Sequence, residues 1–405
     1  MKIGIYGGTF DPIHLGHMAA ARAAVRTLEL DRLLLIPAGL PPHKSLSECA
    51  APAEDRLEMT RIAADRLALE LSVPVEVSEV EVHREGKSYT SDTLRILKEQ
   101  YPEDELWVLM GSDMFLSLQT WHEPEVILRL AGICAFGREE GDCRAQFEEQ
   151  TARLEERYPG CRITVLHIPD LVEVSSTEIR DRLSAGEEPE ELDPSVYGYI
   201  LRKDLYHTDA DLKHLTWSQL RAASYSMIRA KRIPHVQGIE SEAVKLARRW
   251  GADEDEARRA AILHDCTKYL DLNEQLQLCS KYGILLDNME KNTLKLLHSK
   301  TGAAIAKAEF GASDEVYWAI YWHTTGKADM SLLEKIIYIA DYMEPSRSFD
   351  GVEEVRDLVY RDLDAALLMG IEQTIELMKE MGNPVHYRSL EARDWLIARG
   401  VRTCG

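Results

Sequence analysis

The sequence lacks the long apolar runs of a membrane protein and the cysteine pattern of a secreted one. No uninterrupted apolar stretch reaches the roughly 18 residues that a membrane-spanning helix needs. The 7 cysteines are scattered, odd in number and never spaced Cys-x-x-Cys, which predicts free thiols in a reducing compartment. The chain starts directly with strand-like residues, so we expect no secretory signal peptide and a cytoplasmic protein.

Basic residues are scarce relative to acidic ones. The chain has 48 Lys and Arg against 69 Asp and Glu, which gives a formal net charge of −21. A general nucleic-acid-binding protein presents a basic face, so we predict no nucleic-acid partner. The lack of a long apolar run predicts no membrane partner. Phosphate-bearing small molecules are not excluded, since local clusters of cations decide whether they bind.

Internal repeats and low-complexity tracts are also absent, so periodicity is the guide to domains. At 405 residues, two or three domains are expected. Up to about residue 205, short branched apolar runs alternate with amphipathic stretches, a pattern that predicts an α/β domain with a parallel sheet. After Trp217 helical periods dominate, which predicts an all-α domain. We therefore predict domains over residues 1–205 and 217–405, joined by a linker at 206–216.

Apolar periodicity also predicts the individual elements. Strands are predicted at residues 3–6, 33–36, 75–82, 106–110, 132–136 and 163–168. Helices are predicted, among others, over 14–30, 53–71, 91–101, 194–205, 218–231, 240–250, 253–264 and 332–343. Ser91 and Asp92 are suitable caps for the third of these helices. Ligands of such a sheet bind beyond the carboxyl ends of its strands.

The most informative segment joins the first predicted strand to the first predicted helix. Residues 7–17 read GGTFDPIHLGH. The two glycines let the backbone turn tightly and come close to a ligand, and His14 and His17 share one face of a helix. A helix N-terminus attracts anions through its free N–H groups and its dipole. Together these features predict a polyphosphate site.

Further polar loops follow the other predicted strands. They read PPHK at residues 41–44, SYTSDT at 88–93, GSDM at 111–114 and SSTEIR at 175–180. In the last of them, Arg180 comes one turn after three hydroxyl side chains. We therefore predict a second anion site at that helix start.

In their order and approximate spacing, these segments resemble the bacterial nicotinate-mononucleotide adenylyltransferases of the nucleotidylyltransferase superfamily, over roughly residues 1–205. The resemblance implies a Rossmann-like fold and transfer of AMP from ATP, accompanied by Mg²⁺, to nicotinate mononucleotide. The products would be deamido-NAD and pyrophosphate, a step of NAD biosynthesis. The substrate phosphate would attack the α-phosphorus of ATP in line, so catalysis needs positioning and charge neutralisation and no protein nucleophile. The choice between nicotinate and nicotinamide mononucleotide stays open.

The resemblance also implies roles for individual residues. ATP would be bound by Gly8, Thr9, Phe10, His14, His17, Gly111, Asp113, Ser176, Thr177 and Arg180. His14, His17 and Arg180 would be the catalytic residues that hold the triphosphate. The mononucleotide would be bound by Lys44, Thr90 and Trp121, with the indole stacked on the pyridine ring and Lys44 meeting a phosphate.

Separated histidines and aspartates mark the second half of the chain. They are His235, His264, Asp265, His298, His323 and Asp341. Four histidines and two aspartates suit a borderline divalent ion such as iron, manganese or zinc, and one metal or two stays open. Lys268 follows His264 by four residues and Asp265 by three, so it faces the same pocket on a helix.

The order His, His-Asp, His, His, Asp resembles the HD-domain phosphohydrolases over roughly residues 217–385. Segments at 264–268 (HDCTK), 296–303 (LLHSKTGA), 321–327 (YWHTTGK) and 333–345 (LEKIIYIADYMEP) are similar to those of the bacterial hydrolases that cut diadenosine tetraphosphate symmetrically into two ADP. The resemblance implies an iron centre.

Residue roles in the second half follow from the same resemblance. The core ligands would be His235, His264, Asp265 and Asp341, while His298 and His323 would hold either a second metal or the scissile phosphate. Asp265 and Lys268 would be catalytic. The substrate phosphates would be bound by Lys268, His298, His323, Thr324 and Arg347.

The two halves together predict a bifunctional enzyme that acts on small nucleotides. The pairing is chemically sensible, because adenylyl transfer to a wrong acceptor yields dinucleoside polyphosphates. Two alternatives stay open for the second half, namely hydrolysis of another nucleotide and a nucleotide-sensing regulatory module. A homo-oligomer is compatible with the sequence, which does not reveal the oligomeric state.

Overall fold

The computed structural model describes residues 1–40, 49–137, 141–168 and 175–403, without the side chains of residues 141–143 and 167. Within these ranges the chain divides into two compact units, Met1–Ala210 and Asp211–Gly405. The first unit is α/β and the second is helical, which confirms the predicted fold class. Tyr206, which the sequence analysis assigned to a linker, is buried in the first unit.

A parallel sheet forms the centre of the first unit. In the described part of the chain its strands are β1 (Lys2–Gly8), β2 (Arg32–Pro37), β3 (Val75–Val77), β4 (Glu105–Gly111), β5 (Ala131–Gly137) and β6 (Ile163–His167). The strand order is β3-β2-β1-β4-β5-β6. Strands β2 and β3 are thus added on one side of β1 and strands β4 to β6 on the other, so the direction of strand addition reverses between β1 and β4. Ligands of open parallel sheets bind at this reversal, beyond the carboxyl ends of the strands.

Each predicted strand is present, but the third is shorter than predicted. It ends at Val77 instead of residue 82. Its neighbour β2 pairs Leu33 with Val75 and Leu35 with Val77, and then ends at Pro37. Proline has no N–H to donate, so the hydrogen-bond ladder stops there. The chain then turns towards the next helix.

Helices connect the strands of the first unit. They are α1 (Leu15–Leu28), α2 (Ala53–Glu70), α3 (Thr90–Gln100), α4 (Ser112–Ser117), α5 (Pro124–Leu130), α6 (Gly141–Arg157), α7 (Ser176–Ser184) and α8 (Pro194–Lys203). The predicted caps of α3 were wrong, because Tyr89 stands at the cap position. Ser91 is fully buried, and Asp92 pairs with Arg95 inside the helix at 2.9 Å.

The second unit is built from helices packed around a large apolar cluster and a smaller one, to which α17 and α18 contribute. They are α9 (Trp217–Tyr225), α10 (Ile233–Trp250), α11 (Glu254–Leu263), α12 (Leu272–Lys281), α13 (Leu294–Ala308), α14 (Asp314–Trp322), α15 (Leu332–Met343), α16 (Val352–Val359), α17 (Leu363–Glu380) and α18 (Tyr387–Ala398). Among the described residues, no helix is both long and apolar enough to cross a membrane.

Two helix boundaries of the second unit differ from the prediction. The helix predicted over 218–231 ends at Tyr225, where the chain turns and the Ser226 hydroxyl donates to the carbonyl of Ala223 at 2.6 Å. The helix predicted from residue 240 begins at Ile233. Pro234 is tolerated in its first turn, because the N–H that proline lacks has no partner within the helix there.

Candidate active sites

The turn between β1 and α1 is folded tightly over its glycines. Phe10 is buried and has a φ of 48°, in the left-handed region. Its ring lies against Gly8, where a Cβ would stand 2.8 Å from the ring. Any larger residue at position 8 would therefore push Phe10 away and open the turn.

The two histidines of this turn are brought together at the start of α1. Their ring centroids are 3.7 Å apart, and the backbone N–H of His14 donates to Nδ1 of His17 at 3.3 Å. The His17 ring also packs edge-on against Phe10. His14 is buried, and its Nδ1 makes no hydrogen bond to any described residue.

Burial also sets the charge of His14. It lowers the pKa of the imidazole to about 4, although the carboxylate of Glu191 acts in the opposite direction. His14 is therefore neutral at pH 7 in the ligand-free protein. A neutral imidazole donates one N–H, so its expected contact with a phosphate is a hydrogen bond.

We expect this pKa to be visible in a histidine titration. In ¹⁵N NMR spectra of the imidazoles, the His14 signal should titrate near pH 4 in the free protein. Bound ATP should raise the midpoint, because negative charge nearby favours imidazolium. The signal is identified by its loss in His14→Gln. A His14 midpoint above pH 6 without ligand would contradict this account.

The start of α7 is joined to the same turn. Arg180 donates through Nη1 to the carbonyl of Asp11 at 2.6 Å and through Nη2 to Oγ1 of Thr177 at 3.0 Å. The hydroxyl of Ser176 donates to the carbonyl of Pro12 at 3.2 Å. Three residues predicted to bind ATP are thus assembled next to the histidine turn.

Asp11 connects the turn after β1 to two residues that sequence reasoning missed. Its Oδ1 accepts from the backbone N–H of Ala51 at 3.0 Å and from the hydroxyl of Tyr206 at 2.8 Å. No local pattern pairs residue 11 with residue 206, so the sequence carries no signal for this contact.

Arg56 is a second feature that sequence reasoning missed. Its guanidinium is fully buried on α2. It donates to the carbonyl oxygens of Thr9 at 2.7 Å, Ala38 at 2.6 Å, Gly39 at 3.0 Å and Ala51 at 3.2 Å. One side chain therefore ties the turn after β1 to the segment after β2.

We expect Arg56→Met to destabilise the first unit by on the order of 3 kcal/mol, because it leaves several buried carbonyls without donors. The change is measured by titrating the full chain with urea. At each urea concentration the rate of adenylyl transfer is divided by the rate of the same variant without urea, and the midpoint of the loss is compared between variants. The control is Arg66→Met on the same helix, where an exposed pair with Glu70 contributes less than about 0.5 kcal/mol. Equal midpoints for the two variants would contradict the role given to Arg56.

Of the remaining predicted residues, Gly111, Thr90 and Trp121 lie in β4 or in the segments that follow β3 and β4. Gly111 is the last residue of β4, and a Cβ there would stand 3.3 Å from Oδ1 of the exposed Asp113. Thr90 begins α3. Trp121 follows α4, and its half-buried indole donates to the Ser117 hydroxyl at 3.4 Å. Lys44 lies outside the described residues.

In the second unit, the predicted histidines and aspartates converge on Asp265. Oδ1 of Asp265 lies 3.2 Å from Nε2 of His298 and 3.8 Å from Nε2 of His323. Oδ2 lies 3.4 Å from Nε2 of His264 and 3.9 Å from Nε2 of His235. Nε2 of His235 is also 3.2 Å from Oδ1 of Asp341.

Three of these histidines share one arrangement. Nδ1 faces an oxygen in each, namely the carbonyl of Ala261 for His264, the carbonyl of Ile320 for His323 and the carboxylate of Glu344 for His235. The distances are 2.7, 2.7 and 2.9 Å. An Nδ1–H tautomer satisfies each contact and leaves the Nε2 lone pair directed at the centre.

This arrangement fits a divalent metal. The buried Nε2 atoms of His235 and His264 make no hydrogen bond to any described residue, although carboxylate oxygens lie close. The lone pairs of the histidine Nε2 atoms would then face those of the carboxylate oxygens. A bound cation would remove this electrostatic repulsion. Ligand atoms lie within 4.8 Å of one another in two sets, His235, His264 and Asp341, and His264, Asp265 and His323.

Each of the two carboxylates also pairs with an arginine. Arg232 donates to Oδ2 of Asp265 through Nε at 2.8 Å, and its Nη2 lies 2.7 Å from the same oxygen. Arg347 donates from Nη2 to Oδ1 of Asp341 at 2.9 Å. Burial alone would raise the pKa of Asp265 and Asp341, but the surrounding histidines and cations keep both well below the usual range. Burial, with the neighbouring histidines, lowers the pKa of His323 to about 3.

His298 and Lys268 form the other side of this centre. Nε2 of His298 is 3.0 Å from Nζ of Lys268 and 3.2 Å from Nε2 of His323. Nζ of Lys268 is 3.5 Å from Oδ1 of Asp265. Thr324 follows His323 in the chain, and its buried hydroxyl oxygen has no hydrogen-bond partner among the described residues. Donors thus border the cluster on one side.

Comparison with known proteins gives a separate match for each half of the chain. Residues 5–182 match the cytidylyltransferase-like family, and residues 232–346 match the HD domain. Over 212 residues the chain is 41% identical to a probable nicotinate-nucleotide adenylyltransferase of Exiguobacterium sibiricum, covering 51% of this chain and 100% of the relative.

The second half of the chain has relatives of its own. Over 165 residues the chain is 38% identical to the symmetrical bis(5'-nucleosyl)-tetraphosphatase of Bacillus subtilis, covering 40% of this chain and 88% of the relative. A crystal structure from Clostridium acetobutylicum, described as a predicted HD superfamily hydrolase involved in NAD metabolism, is 38% identical. It aligns with 46% of this chain and 98% of its own, with a TM-score of 0.45.

Proposed function

Because this chain belongs to the nicotinate-nucleotide adenylyltransferase family in its first unit and to the HD-domain family in its second, we propose that it is a bifunctional enzyme. The first unit would transfer AMP from ATP to nicotinate mononucleotide, giving deamido-NAD and pyrophosphate. The second would hydrolyse diadenosine tetraphosphate symmetrically to two ADP. All three substrates are small nucleotides, in keeping with the names of the relatives.

The first activity is supported above all by the paired imidazoles at the start of α1. They stand at the amino end of a helix, next to the reversal of strand order between β1 and β4. Backbone N–H groups and the helix dipole favour an anion at such a position. Arg180, held on the same turn, would add a fixed positive charge.

In the proposed reaction, His14, His17 and Arg180 would hold the triphosphate of Mg²⁺-bound ATP so that its α-phosphorus faces the mononucleotide phosphate. Nucleophilic attack in line would release pyrophosphate, whose charge Arg180 and Mg²⁺ would offset while the imidazoles donate hydrogen bonds. Gly111 and Asp113 would face the ribose of ATP. Thr90, Trp121 and Lys44 remain the proposed mononucleotide contacts.

The second activity is supported by the convergence of histidine Nε2 atoms and two carboxylates on one buried point. His235, His264, Asp265 and Asp341 would hold a divalent ion, which we propose to be iron. Such an ion polarises a phosphoryl oxygen and lowers the pKa of a coordinated water. Lys268, His298, His323, Thr324 and Arg347 would bind and orient the polyphosphate, with the cations offsetting its negative charge.

Both activities are tested on the purified full chain by chromatographic identification of products. With ATP, Mg²⁺ and nicotinate mononucleotide we expect deamido-NAD and pyrophosphate. With diadenosine tetraphosphate in ¹⁸O-labelled water we expect two ADP, one of which carries a single label. ATP plus AMP would contradict symmetrical cleavage. If diadenosine tetraphosphate stays intact and another nucleotide is cleaved, the second unit has a different substrate. If a nucleotide is bound but none is cleaved, a sensing role is favoured.

A further inference from the structure

Glu344 is a fully buried carboxylate that none of the proposed steps uses directly. It follows the last residue of α15 and accepts from Nδ1 of His235 at 2.9 Å. The backbone N–H of Ser346 donates to Oε2 at 2.7 Å, and the Ser346 hydroxyl donates to Oε1. Both oxygens are thus held, so the carboxylate keeps a fixed orientation towards His235.

Arg356 binds the backbone of the turn that carries Glu344. Its Nε donates to the carbonyl of Met343 at 2.7 Å. Its Nη2 donates to the carbonyls of Glu344 and Arg347, both at 2.8 Å. One guanidinium therefore holds the backbone on either side of the carboxylate, through contacts that involve none of the proposed metal ligands.

Gly238 leaves the space that this carboxylate occupies. It lies three residues after His235 in α10, where glycine is a poor helix former. A Cβ at this position would stand 2.5 Å from Oε2 of Glu344 and 3.3 Å from Cδ of Pro345. Side chains do not pack that closely, so any other residue at position 238 would displace the carboxylate.

We propose that Glu344 is a positioning residue of the metal centre and that Gly238 makes its position sterically accessible. The carboxylate holds the proton of His235 on Nδ1, so that the Nε2 lone pair faces Asp341 and the metal. A carboxylate behind a ligating histidine also raises the basicity of that ligand. This inference rests on the metal site of the proposed function but not on the identity of the substrate.

The test is the affinity of the metal-free full chain for Mn²⁺, measured from the EPR signal of the free ion. Glu344→Gln should weaken binding by about 10-fold to 100-fold, the usual effect of losing such a partner. Gly238→Ala should weaken it to a similar extent without removing any polar group. Glu354→Gln, at an exposed position of α16, is the matched control and should bind as the unaltered chain does.

A double variant separates this role from a general loss of packing. If Gly238→Ala acts by displacing Glu344, it should cost nothing further in a Glu344→Ala background, where the added methyl group enters vacated space. Circular dichroism of each variant checks that the helices are retained. Should Glu344→Ala fail to fold, Glu344→Ser, which also vacates the space next to Gly238, provides the same comparison.

Three results would overturn the proposal. They are Mn²⁺ affinity unchanged within about twofold in Glu344→Gln, a Gly238→Ala effect of equal size with and without Glu344, and no Mn²⁺ binding by the unaltered chain. If the chain binds Mn²⁺ and the variants behave as expected but diadenosine tetraphosphate is not cleaved, the proposed hydrolase substrate fails. The role of Glu344 then stands.

Discussion

Replacing His17 by alanine is expected to lower kcat for adenylyl transfer by at least about 100-fold, with a much smaller change in the KM for nicotinate mononucleotide. One imidazole contact that strengthens in the transition state contributes about 2–4 kcal/mol. His17 lies 3.7 Å from His14, centroid to centroid, at the amino end of α1. Steady-state kinetics of the full chain with both substrates measure the effect.

A matched control distinguishes this loss from damage to the fold. His83 is an exposed histidine of the same unit, paired with Glu79 at 2.9 Å. His83→Ala should retain kcat within about twofold, because its ion pairs are with Glu54 and Glu79, which are not proposed to bind nucleotides. If His17→Ala lost no more than His83→Ala, the imidazole pair would have no catalytic role.

Replacing Asp265 by asparagine is expected to abolish hydrolysis, with a loss of at least about 1,000-fold, and to release the metal. The carboxylate lies within 3.9 Å of four histidine Nε2 atoms. The neutral amide would leave the buried charge of Arg232 without its partner. Metal content by mass spectrometry and cleavage of diadenosine tetraphosphate measure both consequences.

Adenylyl transfer by the same variant is the internal control, since Asp265 belongs to the second compact unit. It should stay within about twofold of the unaltered chain. Asp255→Asn, at an exposed position in the first turn of α11, should leave hydrolysis unchanged. Full metal content in Asp265→Asn, or hydrolysis retained without metal, would contradict the proposed centre.

The sequence was most informative where the chemistry is local. Strand–turn–helix segments such as residues 7–17 keep their glycines and histidines within a few positions, so periodicity and spacing alone indicated an anion site. The adjacent pair His264-Asp265 at the end of α11 is likewise a local feature of the sequence. In both places the structure brings together the side chains that the spacing had grouped.

Contacts between distant positions could not be read from the sequence. The guanidinium of Arg56, a residue that the sequence analysis did not single out, donates to carbonyl oxygens 47 and 18 positions away. Glu344 is 109 positions from His235. The helix predicted from residue 240 did not include Gly238, so the close contact of this glycine with Glu344 was not predicted either.

The shortened third strand and the cap of α3 show the other limit. Whether residues 78–82 extend the sheet depends on the neighbouring strand, which ends at Pro37. Whether Ser91 caps a helix depends on its burial. Both outcomes are decided by the packed environment, which residue preferences do not contain.

A crystal structure of the full chain with Mn²⁺ and the α,β-methylene analogue of ATP tests the central claim most directly. Anomalous diffraction at the manganese edge would locate the ions. The account predicts the triphosphate within hydrogen-bond distance of His14 and His17, and an ion bound by His235, His264, Asp265 and Asp341. A nucleotide bound away from both imidazoles, or no ion among those four residues, would contradict it.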